Sequence, residues 1–124
     1  MGYEKHRCFQ NAYELAYDLI RENAEHVAFG FVVCHGLATA TAGPDIGARY
    51  GHAWVEMVVD GRSVFVYDFC LDKPLCCLKE DYYRIGQVKK LASYSVTEVL
   101  ENVLRTHHFG PWVEYPADTV FMED

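Results

Sequence analysis

Cys8, His52 and Asp68 are the residues of this sequence whose types suit nucleophilic catalysis. A cysteine attacks as its thiolate, and a free thiol with a pKa of about 8.5 is mostly protonated at neutral pH. A helix N-terminus and a nearby imidazolium both favour the thiolate, each pKa unit being worth about 1.4 kcal/mol. Cys8 heads an apolar stripe of Ala12, Leu15, Ala16, Leu19 and Ile20. Steps of three and four residues mark one helix face, which predicts a helix over residues 7–23 with Cys8 in its first turn.

The two partners stand on a hairpin. Residues 52–58 and 62–69 read as strands, and Asp60-Gly61 between them is a strong turn signal. A two-residue loop pairs Val59 with Arg62, so paired numbers sum to 121 and His52 and Asp68 point to opposite faces. A three-residue loop with Gly61 in a bulge pairs Val58 with Arg62 and lowers the sum to 120. His52 then lies directly opposite Asp68, with Cβ atoms roughly 5 Å apart. The three-residue loop is therefore the expected one. Cys8 is then the nucleophile, His52 the base and Asp68 the group that orients the ring. The Cys8 backbone N–H is one candidate oxyanion donor and the Tyr3 hydroxyl another, ahead of His6. Trp54, on the face of His52, is a candidate wall of the cleft. Asn11, one turn past Cys8, is a candidate brace, and His35 beside the long loop is a candidate substrate contact.

The run Gly51-His52-Ala53-Trp54-Val55-Glu56, followed by Val66-Tyr67-Asp68, resembles the transglutaminase-like branch of the papain-like cysteine peptidase superfamily. The spacings from Cys8 to His52 (52 − 8 = 44) and from His52 to Asp68 (68 − 52 = 16) suit that core, and the likeness covers roughly residues 7–70. It implies a papain-like α+β fold, the same three roles for Cys8, His52 and Asp68, and acyl transfer on peptide or amide bonds without a cofactor. The sequence departs from papain in having Arg7 before the cysteine and no glutamine upstream of it.

These residues need a helix and strands to hold them. An apolar run at 27–34 reads as a strand, and residues 36–51 as a long loop. A short helical turn over 79–85 and a strand over 88–94 follow. Ser95 and Glu98 form a capping box that starts a second helix to about His107, stopped by Gly110-Pro111. Beyond Tyr115 the chain is acidic and reads as a loosely held tail. A helix, a block of strands and a late helix argue for an α+β domain with a small antiparallel sheet.

The 124 residues suit one domain, and 51% hydrophobic with 23% charged residues is ordinary for a globular protein. A net charge of −7 with scattered basic residues offers no stripe for nucleic acid. The polar start and the lack of a long apolar run argue against a leader or a membrane span, and for the cytoplasm. The five cysteines lack a framework spacing, so free thiols are expected. Cys70, Cys76 and Cys77 lack paired Cys-x-x-Cys spacing, so no metal site is expected, with His107 or His108 or without them. A cysteine peptidase or amidase acting on a peptide or amide substrate is the leading expectation. A transamidase and a non-catalytic binding module on the same core are the alternatives.

Overall fold

Side chains alternate across a strand, and here that alternation sends one set to an apolar core and the other to a polar cluster. The computed structural model describes residues 7–25, 29–41, 44–69 and 74–121. The described elements are α1 (Cys8–Glu22), β1 (Phe29–Thr39), β2 (Arg49–Val59), β3 (Arg62–Asp68), β4 (Leu75–Leu78), α2 (Lys79–Ile85), β5 (Lys89–Tyr94) and α3 (Val96–Thr106). The strands form one antiparallel sheet in the order β4-β3-β2-β1-β5. The fold is α+β, with three helices on a five-stranded sheet.

On one face Phe31, Val33, Ala53 and Val55 pack with Ala12, Leu15 and Ala16 of α1 and Val99 of α3. On the other, Cys34, Trp54 and Val66 pack with Tyr82 of α2. The first cluster is wholly apolar, and burying such side chains stabilises by about 1.5–3 kcal/mol each for the larger ones. Burial on the second face requires hydrogen-bond partners, because His52, Glu56 and Asp68 all project into it.

The hairpin corrects the expected loop. Asp60 and Gly61 both have positive φ, 52° and 77°, and Val59 pairs with Arg62. This is a two-residue turn of the kind that matches strand twist. The register then shifts between Met57 and Val58, so that Val58 faces Ser63 but Met57 faces Phe65. Val64 is the extra residue of a bulge inside β3. Paired numbers now sum to 122 (57 + 65), which sets Trp54 opposite Asp68 (54 + 68) and Asp68 diagonal to His52. The even sum needed to bring the two side chains to one face comes from a bulge, not from the loop.

Three other expectations change. β1 runs on to Thr39 and β2 begins at Arg49, so the long loop shrinks to residues 40–48. Leu75–Leu78 is an edge strand that the sequence does not announce. The tail beyond Tyr115 is docked: Val120 bridges Tyr50, accepts from Gly51 N at 2.8 Å and donates to Arg49 O at 3.0 Å. Among the described residues no helix is long and apolar enough to cross a membrane.

Candidate active site

His52 enters the buried polar face from the first half of β2 and Asp68 from the end of β3, and each is almost fully buried. His52 Nε2 lies 2.6 Å from Asp68 Oδ2. An ionised carboxylate only accepts, so Nε2 carries the proton and Nδ1 is left with its lone pair. Nδ1 is buried and has no hydrogen-bond partner among the described residues. The arrangement holds the ring in one tautomer and leaves Nδ1 as a buried acceptor.

The same Asp68 oxygen accepts a second hydrogen bond, 2.6 Å long, from the Tyr82 hydroxyl of α2. Burial, followed by the charge of Asp68 and this hydrogen bond, pushes the Tyr82 phenol well above its ordinary pKa, so it stays a donor. Tyr50 touches the His52 ring edge-on at 5.5 Å, and burial and Asp68 push its pKa up as well. Trp54 lies nearly parallel to His52, with centroids 6.0 Å apart, and forms one wall of the ring's surroundings.

Trp54 is itself anchored. Its indole Nε1 donates to Glu56 Oε2 at 2.9 Å, where the Tyr83 hydroxyl also donates, and Lys90 Nζ donates to Oε1 at 3.1 Å. Burial pushes the Glu56 carboxyl up. Hydrogen bonds from Trp54, Tyr83 and Ser63 and the charge of Lys90 outweigh it and hold the group below its usual value. A buried carboxylate so completely satisfied is a rigid support.

Cys8 is the first residue of α1, half-buried, and packs with the cluster of Ala53 and Val55 on the face of the sheet opposite the one His52 and Asp68 enter; of the three expected partners, the described contacts bring together His52 and Asp68. The Arg7 side chain does not cap this helix start and no acidic residue lies in its first turn, so its amide groups present the partial positive charge of a helix N-terminus. Cys8 is disulfide-bonded, which corrects the expectation of free thiols throughout. Its partner lies outside the described residues. Cys34, Cys76 and Cys77 are free. Burial pushes the Cys34 thiol up, reinforced by Glu56, and burial with Asp81, Cys76 and Asp68 pushes Cys77 up. Both are poor nucleophiles.

Of the other candidates, Asn11 is buried on α1 beside Ala12. Tyr3 and His6 lie outside the described residues. His35 is no loop residue. It sits inside β1 on the face of the apolar core, fully buried among Phe9, Tyr94 and Trp112, so the expected substrate contact is corrected. The chain continues as a strand past it because its face is covered by these rings.

Tyr82, Tyr50 and the Glu56 anchor are the residues that sequence reasoning misses. For Glu56 a signal exists: it shares the period-two face of His52 and Trp54. Tyr82-Tyr83 reads as core packing rather than a stacking platform, and nothing local aims one phenol at Asp68 and the other at Glu56. Among the described residues no three metal-ligating side chains gather into a site. Neither a protein-family model, a curated protein nor a solved structure matches the chain, so the site rests on its own geometry.

Proposed function

We propose that the reduced chain is a cysteine hydrolase of papain-like type that cleaves peptide or amide bonds through a thioester. The observation that carries this reading is the buried His52 Nε2–Asp68 Oδ2 contact at 2.6 Å with Nδ1 left unpartnered. Cys8 heads α1 on the opposite face of the sheet, with the cluster of Ala53 and Val55, so the reading requires the reduced sulfur to reach His52 Nδ1 from that face. The Cys8 sulfur attacks the carbonyl carbon while His52 Nδ1 takes the thiol proton and passes it to the leaving amine. Water then opens the thioester, with His52 as base, and frees the acid and the thiol. Asp68 keeps the ring in its working tautomer, and the Cys8 N–H meets the developing oxyanion.

The Cys8 disulfide favours a second reading, a non-catalytic module in which Cys8 is structural. One experiment separates the two. The chain is reduced and labelled with iodoacetamide at a series of pH values, and each thiol is followed by mass spectrometry. The hydrolase reading expects Cys8 to react fast well below pH 8, while Cys34 and Cys77 lag, and expects Cys8→Ala to abolish capture of electrophilic peptides. Slow, uniform labelling of all the cysteines overturns it and leaves the module.

A further inference from the structure

We propose that Tyr82 is a positioning residue that sets how readily His52 accepts a proton, by sharing the Asp68 oxygen that holds the ring. This rests on the reading of His52 and Asp68 as base and orienting acid, and it adds a group from a third element.

The geometry is specific. Asp68 Oδ2 receives His52 Nε2 and Tyr82 Oη, both at 2.6 Å. Tyr82 is 7% exposed and Asp68 1%, so bulk solvent does not reach that oxygen. A charge-assisted hydrogen bond in such surroundings is short and strong, and two donors on one oxygen divide its charge between them. The phenol therefore draws off part of the negative charge that would otherwise stabilise an imidazolium. It also stops the carboxylate from rotating away from the ring. Tyr82 belongs to α2, which packs on the face opposite α1, so this support is independent of the element that carries Cys8.

Among the described residues, the titratable and charged groups that face the pair come from four elements. β2 contributes Tyr50 and, beyond Trp54, Glu56 with its Lys90 partner from β5. β4 contributes Cys77, close enough for Asp68 to act on its thiol, and α2 contributes Tyr83 behind Tyr82. β1 sets Gly36 opposite His52 and adds no charge. Of these, the Tyr82 hydroxyl donates to the oxygen that His52 uses.

The test is a titration of the six histidines by long-range proton–nitrogen NMR in the full chain and in Tyr82→Phe, with His52 assigned from His52→Gln. Loss of the hydroxyl returns charge to Asp68. The pH at which His52 takes up its second ring proton is expected to rise by about half to one unit, with the other histidines unmoved. A His52 titration that stays in place in folded Tyr82→Phe overturns the proposal. If that variant does not fold, the unaltered chain decides: a slowly exchanging hydroxyl proton with Overhauser contacts to both rings is expected, and its absence overturns the proposal. Neither readout uses Cys8. A shifted titration with an inert thiol sinks the hydrolase and keeps the positioning role, whereas an active thiol with an unshifted titration does the reverse.

Discussion

Asp68→Asn keeps the outline of the carboxylate but lets the side chain donate, so the His52 ring loses its enforced tautomer and its counter-charge. Alkylation of reduced Cys8 at pH 6 is expected to slow by about tenfold or more, since each pKa unit lost from the thiolate is a factor of ten. Unchanged alkylation would mean that the thiolate owes nothing to this pair. His35 makes a separate prediction on the other face. Both ring nitrogens are buried without a partner among the described residues, and burial lowers its pKa from 6.5 to about 3. The unfolded chain binds a proton below pH 6.5 that the folded chain refuses until about pH 3. Stability is therefore complete above the unfolded value and falls by about 1.4 kcal/mol per pH unit below it, to a loss of about 5 kcal/mol. Urea unfolding between pH 7 and pH 4 measures this. His35→Leu should flatten the slope, and an unaltered slope would refute the assignment.

Among the elements, α3 is the one whose start is most firmly written in the chain. Ser95 Oγ accepts from Glu98 N at 3.0 Å, and Glu98 Oε1 accepts from Ser95 N at 2.8 Å. Ser95→Ala breaks this reciprocal cap and should lower the unfolding free energy by about 1 kcal/mol, read as a shift in denaturant midpoint with an unchanged slope. A null effect would show that tertiary packing alone holds the helix start. Legibility follows the same logic. The capping box, the Lys89–Tyr94 strand and the Lys79–Ile85 helix are local patterns, and the residues themselves disclose them. The shared face of His52 and Asp68 is legible too, because a two-residue period leaves only two choices. The Val64 bulge that achieves it is not, since Ser63, Val64 and Phe65 differ little in local preference and the choice falls to packing across the sheet. Tyr82 is invisible for a related reason: its role depends on α2 crossing the sheet face at the level of Asp68, a long-range fact.

At the scale of the whole molecule, the docked tail closes a gap beside the candidate site. β3 pairs with β2 from Val59 back to Val55, whereas Tyr50 and Gly51, just ahead of His52, are met by Val120. The Phe121 ring lies where a Gly51 side chain would be: a Cβ there would come within 2.3 Å of the ring. Tyr115 packs on the same ring at 5.2 Å. Glycine is thus required at 51 by the tail, not by its own backbone, and the two positions should be energetically coupled. Gly51→Ala in the full chain is expected to cost about 1–3 kcal/mol by expelling the ring. In a Phe121→Ala background the same substitution meets open space and should be close to neutral. The double-mutant cycle then gives a coupling of about 1–2 kcal/mol between residues seventy apart in sequence (121 − 51 = 70). Equal costs in the two backgrounds would show that the tail does not seat on β2. A tail that does seat there holds the strand that presents His52, so the coupling also measures how far the Val120–Phe121 segment stabilises the dyad.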